Sequence, residues 1–194
     1  MMDSYGLVVE GYFDREVYEE FIGKICARKV EVIVRVAGDC AQLMRKLPSL
    51  LRSLEHATSP GSPVDKMLAI RDADFRDVAT LEGKMRNSIS GRSFKSPQPI
   101  GLHAVKQEME TWLLADTDAI NAVATARGGN AVSRVADPLE DIQHPKEKLQ
   151  VLLGRARLNY TAQVCREIAR ATDLAKLRVR CPSFNVFEQK VIDP

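Results

Sequence analysis

No uninterrupted apolar run in the sequence approaches the roughly 18 to 20 residues that a membrane-spanning helix requires, so no such helix is expected. The start, Met1-Met2-Asp3-Ser4, runs straight into an apolar stretch with no basic n-region and no cleavage site. It does not read as a secretory signal, and a cytoplasmic location is expected. Cysteine is sparse and scattered: Cys26, Cys40, Cys165 and Cys181 form no C-x-x-C pair, and no histidine stands at zinc-site spacing. That excludes a disulfide framework and a zinc ribbon, and predicts reduced, mostly buried thiols. His56, His103 and His144 are widely separated, and no nucleophile-elbow motif accompanies them. A triad assembled in three dimensions stays open; for His103, on a fourth strand, a structural role is favoured over one in a site. No G-x-x-x-x-G-K-[ST] loop is present, so ATP hydrolysis by this chain is not supported. Neither sign of charge dominates, and a net charge of +2 does not by itself imply nucleic acid.

What is present is an ordinary globular composition, 45% apolar and 28% charged over 194 residues, enough for one well-buried core. The β-rich run Tyr5–Glu10 reads as a buried strand. Asp14 is placed to cap a helix running to about Arg28, with Gly11 permitting a tight turn before it. Val30–Val36 is dense in β-branched residues and reads as a second strand. Leu43, Leu47, Leu50, Leu51 and Leu54 mark a helix that Pro48 should kink or divide, and residues 58–63 form a Ser/Pro/Gly loop. A short third strand, Met67–Ile70, leads into Arg71-Asp72-Ala73-Asp74. A helix is expected from Asp77 to Ile89, a fourth strand from Ile100 to Val105, and helices over 107–115 and 116–127. Short helices fill the remainder. The expected class is α/β, with about four mainly parallel strands flanked by helices; residues 1–137 would form the sheet domain and 138–194 a helical extension packed on it.

Charge is unevenly spread. From Lys84 to Lys106 the basic residues Lys84, Arg86, Arg92, Lys95 and Lys106 meet no acid, and from Lys146 to Arg180 basic residues again outnumber acids. These are two candidate phosphate-facing surfaces, with solvated helix faces as the alternative for each.

The acids carry the chemistry. Ligands of parallel α/β sheets bind at the carboxyl ends of the strands, and Glu10 and the pair Asp72 and Asp74 stand at such ends. Asp14 follows Glu10 across a short turn. If strand geometry persists, Asp72 and Asp74 face the same way. A Mg²⁺ ion takes hard oxygen ligands of this kind and keeps waters that substrate phosphates replace. Taken singly, E-G-x-x-D and D-x-D are common; their joint placement at two strand ends is the specific feature. A haloacid-dehalogenase-like phosphatase also uses D-x-D, but after its first strand and with Thr or Val two positions beyond, where this chain has Arg76.

The segments Val9-Glu10-Gly11-Tyr12-Phe13-Asp14 and Ile70-Arg71-Asp72-Ala73-Asp74 together resemble the catalytic core of the Toprim superfamily, which includes topoisomerases, DnaG-type primases and overcoming-lysogenization-defect nucleases. Glu110-Thr-Trp-Leu-Leu-Ala-Asp116 resembles an E-x-W-L-L-A-D signature of small stand-alone Toprim-like proteins often encoded beside an ATPase. With Cys181-Pro-Ser-Phe184, the resemblance covers nearly the whole chain. It implies a Toprim-like, Rossmann-like sheet and a Mg²⁺ (or Mn²⁺) site. Glu10 would be metal ligand or general acid/base, Asp72 and Asp74 metal ligands, Asp14 the extra acid of the nuclease branch, and Glu110 and Asp116 accessory acids. Trp112, Leu113 and Leu114 are expected in the core. Two cations would stabilise the attacking and leaving oxygens of a phosphodiester, with Lys84, Arg86 or Arg92 neutralising the phosphate. The function implied is a metal-dependent nuclease, with an ATPase partner in trans and a role in genome or phage defence. The alternative is a non-cleaving metal- or nucleotide-binding regulatory subunit of an ATPase-containing complex. No tyrosine-bearing strand-passage domain fits in the chain, so topoisomerase activity is not expected.

Overall fold

The computed structural model describes residues 3–27, 30–58, 63–136 and 138–193. Four strands, β1 (Asp3–Val9), β2 (Val30–Val36), β3 (Lys66–Asp72) and β4 (Gly101–Val105), form one sheet in the order β2-β1-β3-β4. Every neighbouring pair is parallel, so this is an α/β protein of the expected class. The central strands are apolar on both faces because both faces are covered. Tyr5, Leu7 and Val9 of β1 join Leu68 and Ile70 of β3 in one buried cluster, while Val8, Met67 and Ala69 join a second on the opposite face.

The first face is covered by α1 (Tyr12–Ile25) together with α4 (Glu110–Leu113), α5 (Thr117–Ala126), α6 (Pro145–Arg155), α7 (Ala162–Ala171), α8 (Leu174–Arg180) and α9 (Pro182–Ile192). One apolar cluster runs from Tyr5 to Val191 and so unites the sheet with the C-terminal helices. Trp112 lies at its centre, fully buried, its ring edge-on to Phe184 at 5.1 Å and its indole N–H donating to Ser183 Oγ at 3.3 Å. The W-L-L and C-P-S-F segments are thus the two halves of one packing junction, and Trp112 is core, as expected.

The second face carries α2 (Cys40–Arg52) and α3 (Val78–Ile89). Pro48 does not divide α2, which runs across it as one helix. Burial of Leu43, Leu47 and Leu51 outweighs the one hydrogen bond that Pro48 cannot donate. The β4 edge is sealed by side chains. Ala104 N–H donates to Glu82 Oε1 at 3.1 Å, and Lys190 of α9 donates to Glu82 Oε1 and to the Leu102 carbonyl, each at 2.6 Å.

Three further expectations are corrected. Gly11, not Asp14, is the N-cap of α1; Asp14 sits in the first turn and accepts the Gly11 N–H at Oδ2, 2.8 Å away. Gly11 has φ −131°, open to any residue, so the turn does not use its special freedom. The helix expected over 107–115 shrinks to four residues because the Gln107 carbonyl is taken by the N–H groups of Ala73 and Asp74, at 3.1 and 3.2 Å. The expected loop at 58–63 falls mostly outside the described residues. Among the described residues no helix is long and apolar enough to cross a membrane.

Candidate functional site

The chain leaves β1 for β2 on one side and later enters β3 on the other, so the crevice between the carboxyl ends of β1 and β3 is the topological switch point. Glu10 follows the last residue of β1, and Asp72 is the last residue of β3. The two strands run side by side, pairing Val8 with Ala69. Register alone therefore brings the E-G-x-x-D and D-x-D segments together from positions about sixty residues apart in the chain.

Strand geometry does not persist through the D-x-D segment. Asp72 ends β3, whereas Asp74 and Phe75 adopt left-handed φ values of +46° and +67°. The N–H groups of Ala73 and Asp74 both turn onto Gln107 O, holding the chain in a bend rather than an extended strand. Non-glycine residues in this region cost of order 1 kcal/mol or more each and concentrate at ligand-binding sites.

The electrostatics of the crevice are those of acids crowded together with little compensation. Burial pushes Glu10 up to about 7, and the charges of Asp14 and Asp74 add to this while Arg71 opposes it. Burial also raises Asp14 to about 6, against the Gly11 N–H and Lys146. Asp72 is raised well above the usual carboxylate range by burial and by Asp14, Glu110, Glu10 and Asp74. Glu110, 5% exposed, is raised mainly by burial although Tyr160 donates its hydroxyl to Oε1. Glu10 Oε1 is buried with no hydrogen-bond donor; its nearest cation is Arg71, whose Nε lies 3.8 Å away.

Several members of the site were not foreseen. Arg71 is buried beneath Glu10 with Nη2 lacking a hydrogen-bond acceptor. Its position in Ile70-Arg71-Asp72 gives the signal: alternation along β3 turns Arg71 to the face opposite Asp72. The buried Tyr18 of α1 lies in the field of Asp72, Asp14, Glu110 and Glu10, its hydroxyl without a partner. Tyr160 stacks on Phe13 with centroids 4.7 Å apart, and Lys146 Nζ lies 5.8 Å from the Tyr160 ring centroid. The Lys146 main-chain N–H donates to Glu108 Oε2 at 2.9 Å. Glu108 is itself raised, by burial foremost. Lys146 opens the second basic run but no motif tied it to the acids, and none marked Tyr160; they reach the crevice from α6 and from the loop between α6 and α7 through packing alone.

Other expected members lie elsewhere. Asp116 caps α5 and accepts the Asp173 N–H at 2.9 Å and Lys176 Nζ at 2.8 Å. Burial would raise it, but these donors outweigh burial and hold it below the usual range. It is a structural acid and is not brought to the cluster. The helix α3 begins beside the carboxyl end of β3 and runs back antiparallel, which carries Arg86 and Arg92 toward the amino-terminal end of the sheet, with Lys84 exposed midway. Arg92 lines a groove of about 210 Å³ with Arg45 and Arg52 of α2. The structure does not bring Lys84, Arg86 or Arg92 to the acids. The second basic run is largely taken up in packing: Arg166 and Arg170 pair with Glu20, Arg178 with Glu188, and Arg180 donates to the carbonyls of Ala115 and Val135. His103 is buried against Trp112 and Phe187, and burial lowers it to about 3, a neutral core imidazole.

Among the described residues no three His, Cys, Asp or Glu side chains converge on one metal position. A Mg²⁺ ion needs only one or two protein carboxylates, since waters and substrate oxygens complete its shell. The residues fit such an ion in kind and in charge. Hard oxygen donors crowd at Glu10, Asp14 and Asp72, and Glu10 Oε1 has no donor of its own.

The model of a family described as a domain of unknown function, DUF4276, matches residues 9–192, and the chain belongs to that family. No curated protein and no solved structure is significantly similar to it.

Proposed function

We propose that the chain is a Mg²⁺- or Mn²⁺-dependent, Toprim-type nuclease that hydrolyses phosphodiesters of nucleic acid at the β1/β3 crevice. One observation carries the reading: Glu10, Asp14 and Asp72 lie at the switch point, raised by burial and by one another's charge, with Asp74 adding its charge from the rim, whereas buried Glu20 and Asp116 accept from arginine or lysine. Crowded carboxylates destabilise a fold unless a cation is part of its working state.

Bound divalent cations would supply charge neutralisation at the scissile phosphate and at the attacking and leaving oxygens. Asp72 and Asp74 would hold them, with Asp14 bracing the turn from which Glu10 projects. Glu10, set near neutrality, exchanges a proton at its carboxylate with the attacking water. Arg71 fixes the Glu10 carboxylate from below, and Lys146, at the rim, draws the phosphate backbone toward the acids. ATP hydrolysis is left to a partner chain acting in trans, in a genome-defence setting.

The test is cleavage of labelled DNA and RNA by the purified chain with Mg²⁺, Mn²⁺ or EDTA. Metal-dependent cleavage that is lost in Glu10→Gln and Asp72→Asn is the expected result. Cleavage that persists in both variants overturns the site. Metal binding without cleavage, with activity appearing only on adding an ATPase, gives instead the regulatory-subunit reading.

A further inference from the structure

Large apolar side chains exposed to solvent among the described residues are Tyr12, Phe75, Val151, Val179, Val186 and Ile192. The aromatic members are Tyr12 and Phe75, and both lie beside the acid cluster: Tyr12 between Glu10 and Asp14, Phe75 directly after Asp74. The two residues therefore follow the carboxyl ends of neighbouring strands, Tyr12 after β1 and Phe75 after β3, and those ends bound the crevice. Neither belongs to an apolar cluster of the fold, so packing does not account for them.

Phe75 is set outward by the backbone. Its φ of +67° follows Asp74 at +46°, and the bend is fixed from the β4 side by Gln107 O. The ring is kept from collapsing by His144, whose ring meets it edge-on at a centroid distance of 5.8 Å and which is itself left-handed at φ +55°. The side chain stays 53% exposed, and Tyr12 is 68% exposed. Two residues beyond His144, Lys146 faces Asp14 and Glu110. Ring faces open to solvent, a neighbouring cation and a phosphate-handling acid cluster form the combination that proteins use to hold unpaired nucleotides. The bases stack on the rings while the backbone follows the charge.

We propose that Tyr12 and Phe75 are base-stacking platforms, so that the site takes unpaired nucleotides, as in single strands, in preference to an intact duplex. Bases of a duplex are stacked on one another and turned inward, where neither ring reaches them. The inference rests on the nuclease reading and names the substrate form of that site.

The experiment measures binding of the full chain to a labelled single-stranded oligonucleotide, to the same strand as a blunt duplex, and to an abasic strand of equal length. Ca²⁺ replaces Mg²⁺, and fluorescence anisotropy is the readout. Wild type is expected to bind the single strand at least about ten-fold more tightly than the abasic strand and the duplex. The double variant Tyr12→Ala with Phe75→Ala is expected to lose that preference while keeping its residual affinity for the abasic strand; Tyr12→Phe with Phe75→Tyr retains the preference. Equal binding of abasic and base-bearing strands by wild type overturns the stacking proposal without need of any variant. So does a double alanine variant that keeps the preference. If wild type cleaves nucleic acid yet shows either result, the nuclease reading stands and the stacking proposal fails; if wild type neither binds nor cleaves any strand, both fail.

Discussion

Two groups of acids in this molecule have similar side chains and opposite surroundings. At the carboxyl ends of β1 and β3, Glu10, Asp14 and Asp72 are raised by burial and by one another. On the helical side, Glu20 is also buried, 4% exposed, but takes Arg170 at 2.6 Å and Arg166 at 3.0 Å, while Asp116 takes Lys176 at 2.8 Å. Glu167, paired with Arg127, is held down to about 2 through that hydrogen bond. The acids with partners fasten α5, α7 and α8 to the rest of the chain. Of the strand-end acids only Asp14 has a comparable role, accepting the Gly11 N–H at the start of α1, and a strained bend at Asp74 and Phe75 stands beside them. Acidity alone does not distinguish the two groups; at the strand ends burial and like charge outweigh the cations Arg71 and Lys146, whereas Glu20 and Asp116 accept hydrogen bonds from arginine or lysine.

Breaking the cluster at its centre gives the largest expected effect. Asp72→Asn lowers metal-dependent cleavage by about a thousand-fold or more, and raises rather than lowers the midpoint of thermal unfolding without metal, because a repelling charge has gone. A cleavage assay paired with a thermal melt reads both. A variant that loses stability along with activity would place Asp72 among the structural acids.

The pH dependence of stability sharpens the comparison further. Glu10 titrates at about 7 in the fold against 4.5 for the ordinary side chain. Between those values the folded state holds more protons than the unfolded one, so this contribution to stability is greatest at the low end and is lost as pH rises toward 7. A shift of this size corresponds to on the order of 3 kcal/mol before relaxation. Thermal unfolding of wild type and Glu10→Gln in EDTA isolates the group. The variant's advantage in melting temperature grows from pH 5 to pH 8, and Mg²⁺ narrows it.

On the helical side the signs reverse. Glu20→Ala strands Arg166 and Arg170 and costs about 2 kcal/mol, discounted because both guanidinium groups are partly solvated, with no change in the pH profile of cleavage. Urea unfolding measures the loss. Lys176→Ala is the smallest change in stability, since its side chain is exposed and Asp116 keeps its α5 cap and the Asp173 amide. Cleavage by this variant should equal that of wild type.

Much of the architecture was legible because it depends on periodicity. The apolar runs at β1, β2 and β3 are short, bounded and rich in β-branching, and the leucines of α2 repeat at helical spacing; both patterns follow from which faces must be buried. Pro48 does not divide α2 because burial of Leu43, Leu47 and Leu51 outweighs its local penalty. The D-x-D pair misled because the main-chain bonds to Gln107 O that bend Asp74 out of the strand come from a segment more than thirty residues downstream. Asp116 looked like a site residue by its place in E-x-W-L-L-A-D, but a capping acid and a ligating acid are the same residue until their neighbours are known.

By itself, the sequence determined that the chain makes a parallel α/β sheet and that Glu10 and Asp72 fall at strand ends with Asp14 and Asp74 close behind them, since alternation and strand length are local properties. Tertiary structure alone decided which acids share the crevice, which are neutralised by arginine or lysine, that Lys146 and Tyr160 stand beside Glu110, and that Tyr12 and Phe75 remain bare at its mouth. The physical reason is range. Hydrophobic periodicity is written within a dozen residues, whereas the energy of a charge is set by whatever partner the fold brings within a few ångströms of it, however distant along the chain.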